Sequence, residues 1–223
     1  MNIAIDGPAG AGKSTIAQRV AAVRGAIYVD TGAMYRAMAL FMIRKGIDPK
    51  DAEAVGEACG DADISIEYRD GEQRVLLNGE DVSDEIRTEA VSAIASTTSA
   101  NPKVREKLVL LQQALAKKTD VVMDGRDIGT VVLPDAEVKI YLTASPRARA
   151  ERRYRQTAEN AAPGQEIPSV GEIMKNIEER DYQDMHREHS PLRQAEDACL
   201  VDSSDMTIEE VVARILAICD ENV

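Results

Sequence analysis

The run Gly7-Pro8-Ala9-Gly10-Ala11-Gly12-Lys13-Ser14-Thr15 carries the most specific chemistry in the chain. Its spacing, G-x-x-x-x-G-K-S, is that of a loop that cradles phosphates. Glycines let the backbone curl so that successive N–H groups and a helix N-terminus converge on phosphate oxygens. Lys13 is placed to reach the β- and γ-phosphates, and the Ser14 hydroxyl to ligate Mg²⁺. By itself such a run could also be a glycine-rich turn that caps a helix. Its context argues otherwise: an apolar strand run precedes it, and an amphipathic helix with Ile16, Val20 and Val23 on one face follows. The expectation is a site for ATP or GTP.

A guanine-reading switch protein would need N-K-x-D after a strand, and the chain has no such tetrapeptide. The D-x-x-G look of Asp124-Gly125-Arg126-Asp127-Ile128-Gly129 is therefore weak support for that class. Arginines point elsewhere. Arg36, in D-T-G-A-M-Y-R, follows the second strand run, and Arg126, in M-D-G-R-D, follows the third. Ligands of open α/β sheets sit at the carboxyl ends of the strands, so both should face the phosphate loop. A guanidinium fork grips phosphate through two hydrogen bonds, which suits a second phosphorylated substrate. A lone arginine at either place would read as a surface ion pair. Arg149, Arg152 and Arg153 fall three and four residues apart on one helical face. They could close as a lid on a transferring phosphoryl group, or form a solvated basic face paired with Glu151 and Glu159.

Several elements must hold these groups. Short apolar runs at Ile3–Ile5, Ala26–Val29, Val121–Met123, Val138–Leu142 and Leu200–Val201 read as buried parallel strands separated by helices. Ala144-Ser145-Pro146 opens a helix through Arg155, and Ser169 with Glu172 and Thr207 with Glu210 form capping boxes for two more. From Asp63 to Val82 the pattern alternates around Asp70-Gly71, the signature of a hairpin inserted into the α/β core. The stretch Thr157–Pro168 reads as a mobile loop. The fold class is thus an α/β, five-stranded parallel sheet flanked by helices, with a small antiparallel insert at 62–101 and a short lid at 151–168, all in one domain over 1–223.

Composition narrows the partners. Among 223 residues, 27 Lys and Arg face 39 Asp and Glu, a formal charge of −12, which disfavours nucleic acid and anionic membranes. With aromatics at 3% and no Trp, there is no stacking platform for single strands, and the core must be built from Ala, Val, Ile, Leu and Met. Screening acts over about 8 Å at physiological salt, so local arginines can still hold a small anion. Cys59, Cys199 and Cys219 lack metal-ligand spacing and read as small buried hydrophobes in a reducing compartment. Neither a signal-peptide pattern nor an apolar run long enough to span a membrane is present, so the expectation is a cytoplasmic protein. No large apolar stripe demands a partner, which favours a monomer.

The blocks G-P-A-G-A-G-K-S-T, D-T-G-A-M-Y-R, D-V-S-D-E-I-R, V-V-M-D-G-R-D-I-G-T-V-V-L-P-D-A and I-E-E-R-D-Y-Q-D resemble, in order, those of the bacterial cytidylate kinase family. The resemblance spans residue 2 to about 205. It implies transfer of the γ-phosphoryl group of ATP, with Mg²⁺, to CMP or dCMP. It further implies that Arg36, Arg126 and Arg180 hold the CMP phosphate, with Arg187 near it. Thr31 and Asp184 would contact the ribose, while Ser96, Arg105 and Asp127 would read the cytosine edge. A carboxylate such as Asp127 accepts from the cytosine amino group and repels the uracil oxygen at the same place. Lys13 together with Arg126, Arg149, Arg153 and Arg180 would stabilise the migrating group, and Asp124 would help Ser14 with Mg²⁺ through water. The adenine would lie near Val201-Asp202-Ser203-Ser204. Thr31 stands where the family often has Ser, and the helix around Arg105 is less basic than in many relatives. A shikimate or dephospho-coenzyme A kinase, or a non-catalytic ATP-binding module, would share the phosphate loop without needing the D-G-R-D block.

Overall fold

The computed structural model describes residues 1–69, 71–162 and 166–222, with only the backbone of Asn160. In chain order the strands are β1 (Ile3–Asp6), β2 (Ile27–Asp30), β3 (Ile64–Arg69), β4 (Glu72–Leu77), β5 (Glu80–Asp81), β6 (Val121–Gly125), β7 (Val138–Thr143) and β8 (Cys199–Asp202). The helices are α1 (Lys13–Arg24), α2 (Thr31–Lys45), α3 (Ala52–Ala58), α4 (Glu89–Ser99), α5 (Pro102–Ala116), α6 (Pro146–Asn160), α7 (Val170–His186) and α8 (Ile208–Glu221).

Five strands pair in parallel in the order β2-β6-β1-β7-β8, so the strand that feeds the phosphate loop lies at the centre. All four residues of β1 are buried, because both faces of a parallel sheet are covered. Ile3 and Ile5 pack with Ile16, Val20, Val211 and Ile215 on one side, and Ala4 packs with Val29, Met123 and Ile128 on the other. The buried stripe of α1 is Ile16, Ala17, Val20 and Ala21. Val23, expected on that face, is 65% exposed, since the stripe drifts along the sheet and leaves the last turn outside.

The second sheet, β3-β4-β5, is antiparallel, with Ile64 opposite Leu77 and Arg69 opposite Glu72. That register leaves a two-residue connection at 70–71, the hairpin expected there; Asp70 itself lies outside the described residues. The third strand is one the alternation did not separate, although Asn78-Gly79 marks the turn before it. Ile64, Val75 and Leu77 of this sheet, with Val82 just after β5, join Met34, Met38 and Met42 of α2 and Leu108 of α5 in one buried cluster. The hairpin also covers the open edge of β2: the Gln73 side chain accepts from the Asp30 N–H at 2.8 Å and Tyr68 Oη donates to the Tyr28 carbonyl at 2.8 Å. Unpaired edge groups are otherwise templates for aggregation.

Helix starts follow their caps. Asp30 accepts from the Ala33 N–H, Asn101 from those of Lys103 and Val104, and Ser145 from that of Ala148. Both expected capping boxes are formed. One expectation fails at the lid: α6 does not give way to a loop at Thr157 but runs to Asn160, because A-E-N still favours helix and the breakers begin beyond it. Positions 163–165 of that expected loop lie outside the described residues. Cys59 and Cys219 are buried as expected, whereas Cys199 is exposed on edge strand β8. Among the described residues no helix is long and apolar enough to cross a membrane.

Candidate active site

The phosphate loop leaves β1 at Gly7, whose φ is 151° and where a Cβ would lie 1.9 Å from the Leu142 carbonyl oxygen. Only glycine fits between β1 and β7 there. Gly12, at φ 91°, turns the chain into α1, and no side chain caps that helix. Its first-turn N–H groups are therefore open to an anion. Lys13 is 6% exposed and its Nζ donates to the Pro8 carbonyl at 2.8 Å. Burial, then the Arg126 guanidinium, pull Lys13 down to about 7, so its charge is held at a cost that an arriving polyphosphate would relieve.

Beneath the loop, Asp124 is buried one residue before the end of β6. Its carboxylate accepts from Ser14 Oγ at 2.8 Å and Tyr28 Oη at 2.9 Å. Burial, then Asp30, push Asp124 up to about 6. Ser14 and Asp124 form an all-oxygen donor pair of the kind Mg²⁺ accepts. Among the described residues no three acidic, His or Cys side chains gather as a protein-only metal cage.

Two groups of arginines stand across from the loop. In the first, Arg126 Nε donates to Asp184 Oδ2 at 2.8 Å and Arg36 Nη2 to Asp30 Oδ2 at 2.9 Å. Arg180 makes no hydrogen bond or ion pair among the described residues. Desolvation in the cleft and then Arg126, with Arg36 and Arg153 behind, lower its pKa, although solvent still reaches the side chain. In the second group, Asp127 is 4% exposed and pairs through Oδ2 with Arg105. Its Oδ1 lies 3.7 Å from Arg187 Nη2, beyond hydrogen-bond reach. The Arg105 guanidinium sits 5.2 Å over the Tyr35 ring. Ser96, Thr97, Ala100, Gln183, Asp184 and Arg187 line a cavity of about 240 Å³ between α4 and α7.

Most of the expected residues thus converge, with four differences. Arg187, expected with the phosphate arginines, falls beside Asp127 and Arg105. Thr31 is buried and its hydroxyl donates to the Asp124 carbonyl at 2.7 Å, a structural bond rather than an open ribose contact. Arg149 is 3% exposed and all three guanidinium nitrogens are engaged: with the Ala144 carbonyl, with the Ala9 carbonyl of the phosphate loop, and with Asp181 Oδ2 at 2.6 Å. Arg152 reaches back to Ser203, so the three helical arginines diverge to different partners, and of the three only Arg153 stays exposed, near Arg180. Glu151 pairs with Arg147 instead.

The sequence reading missed Asp6, Tyr35, Asp181 and Gln183. Of these, Asp6 alone had a local signal, as a carboxylate at the end of a buried strand directly before Gly7.

Comparison with known proteins bears on the same residues. The family model described as cytidylate kinase matches residues 3–221. A cytidylate kinase of Caldicellulosiruptor saccharolyticus is 50% identical over 216 residues, covering 97% of this chain and 94% of its own. That of Geobacter sulfurreducens is 48% identical over 219 residues, covering 98% and 92%. Among solved structures, an uncharacterized protein from Eubacterium ventriosum superposes with a TM-score of 0.52 at 10% identity, covering 99% of this chain and 98% of its own, a likeness of fold alone. With its phosphate loop, its arginine-lined cleft and a family match over nearly its whole length, the chain belongs to the cytidylate kinase family.

Proposed function

We propose that the protein transfers the γ-phosphoryl group of ATP to CMP or dCMP, giving ADP and CDP or dCDP. The observation that carries this reading is the split of the cleft into an arginine group without enough counter-charge and a buried Asp127 with one oxygen unpinned. A nucleoside monophosphate has a dianion at one end and a hydrogen-bonding base edge at the other, and it matches both.

In this reading ATP binds the loop of residues 7–15 through its backbone N–H groups, Pro8 excepted, and Lys13 leaves the Pro8 carbonyl for the phosphates. Ser14, with Asp124 behind it, would hold Mg²⁺, which neutralises phosphate charge when bound. The adenine lies near Val201–Ser204. Arg36, Arg126 and Arg180 hold the acceptor phosphate, and Arg153 joins them as the α6 end approaches. Arg149 serves as a strut that ties the P-loop to α6 and α7. The acceptor is already an anion, so no general base is needed; alignment and charge neutralisation do the chemistry. Asp127 Oδ1 takes the cytosine amino group while Arg105 and Ser96 complete the edge, and Asp184 reaches the ribose. Segment 62–101 then acts as the monophosphate-binding insert and 151–168 as the lid, whose closure excludes water. The reading puts this work in the cytoplasm, on small nucleotides, by a monomer.

The test is ADP release from ATP·Mg²⁺ with CMP, dCMP, UMP, AMP, GMP or shikimate. Strong turnover with CMP and dCMP alone supports the reading. No turnover with CMP removes it.

A further inference from the structure

Asp6 is a buried titratable group that the mechanism above does not use. It closes β1 immediately before Gly7, is 5% exposed, and its backbone is fixed in the sheet between Gly125 and Tyr141. Its two carboxylate oxygens accept separate backbone donors, the N–H of Ile128 at 2.8 Å and that of Gly129 at 2.7 Å. These are the first residues of a π-helical turn, Ile128–Val132, which starts directly after Asp127. Arg126 and Asp127 are therefore spanned between two anchors: Gly125 in β6 on one side and the Asp6 grip on the other.

We propose that Asp6 is a positioning residue for acceptor selectivity, fixing where Asp127 and Arg126 stand relative to the phosphate loop. The proposal rests on the reading of Asp127 as the group that meets the base. Two N–H donors converging on one side chain need two acceptors, which only a carboxylate supplies in this space. Asn would offer one acceptor and turn an NH₂ donor against the second N–H. The arrangement is costly, which argues for a use: burial pushes the Asp6 carboxyl up to about 6 against the two N–H bonds, Asp127 adds repulsion, and the Lys13 charge offsets it in part. Lys139 of β7 contributes its aliphatic stem beside Gly129.

A purely structural role is the competing account, because Ile128 and Val132 of the turn are core residues. Selectivity distinguishes the two. The experiment measures kcat/KM with CMP and with UMP, ATP affinity without acceptor, and Tm, for the wild type, Asp6→Asn and Gly129→Ala. A methyl at 129 would lie 3.4 Å from Asp6 Oδ2 and 3.3 Å from Lys139 Cδ, pressing on the grip while leaving the Asp6 charge in place. The CMP-to-UMP ratio is expected to fall about tenfold or more in Asp6→Asn and about threefold in Gly129→Ala, with ATP affinity held within about twofold in the latter. A folded Asp6→Asn enzyme with the wild-type ratio overturns the proposal, even if its ATP affinity or kcat drops through Lys13. Should Asp6→Asn fail to fold, an unchanged ratio in Gly129→Ala overturns it alone. A wild type without CMP preference would remove the reading of Asp127, and this proposal with it.

Discussion

The donor half and the acceptor half of the cleft are built by different means. The phosphate loop is one continuous segment whose chemistry is mostly backbone, set by Gly7 and Gly12 and by an uncapped helix start. The acceptor half is side chain throughout and draws on α2, α4, α5, the turn after β6, and α7. Its polar end is also divided: the arginines around Arg180 carry unbalanced charge in reach of water, while Asp127, Arg105 and Arg187 are mostly withdrawn from solvent around one carboxylate. A backbone site tolerates any triphosphate, whereas a side-chain site can select. On the proposed reading of Asp127, affinity for phosphate and choice of base reside in separate places.

Several variants can break that division. The largest effect is expected at Lys13: Lys13→Ala should lower kcat by about a thousandfold or more, with acceptor KM little changed, in a steady-state assay. Near-normal turnover would remove the loop from the chemistry. Next come two arginines that the sequence treated alike. Arg180→Ala should cut kcat/KM for CMP by about a hundredfold and leave Tm almost unchanged, because its side chain is exposed and makes no hydrogen bond or ion pair among the described residues. Arg149→Ala should lower Tm by about 10 °C, since it strands Asp181 and frees two carbonyls in a buried place. If both variants lost only activity, Arg149 would be a contact to substrate and not a strut.

A smaller effect concerns stability and pH. The folded protein holds Lys13 at about 7 against an ordinary 10.5, so its charge opposes folding fully below pH 7 and progressively less as pH rises toward 10.5. Lys13→Met should therefore raise the Tm of the ligand-free protein by on the order of 5 °C at pH 6, with the gain shrinking at pH 9. Calorimetry at the two pH values checks the sign; a larger gain at pH 9 contradicts it. The smallest effect is expected at Thr31. Its hydroxyl is already bonded to the Asp124 carbonyl, so Thr31→Ser should change the CMP-to-dCMP ratio by less than about threefold.

The two halves also differed in how far the residues announced them. The five core strands, both capping boxes and the phosphate loop were legible because each is encoded by neighbours in sequence: apolar runs, S-x-x-E, and the glycine spacing. In the acceptor half, Arg36 and Arg126 were legible from their places after strand runs, and the base and ribose residues were named only through resemblance. Ser96 on a helix face or Arg187 after α7 has no local feature that sets it apart from a surface residue. The lid arginines show the limit of spacing arguments. Arg149 and Arg153 are one helical turn apart, yet one is buried on Asp181 of α7 and the other stays exposed and bonds within its own helix, to Gln156, which depends on what the rest of the fold brings to each. Asp6 was legible in position, and its two N–H partners lie more than a hundred residues away.

The separation of phosphate binding from base choice is tested most directly by the ratio of kcat/KM for CMP to that for UMP, in the wild type and in Asp127→Ala, alongside ATP affinity. The division of labour predicts a strong CMP preference in the wild type that collapses toward unity in the variant by about a hundredfold or more, with ATP affinity within about threefold. A variant that keeps the wild-type ratio, or that loses ATP affinity in step with CMP, would contradict it.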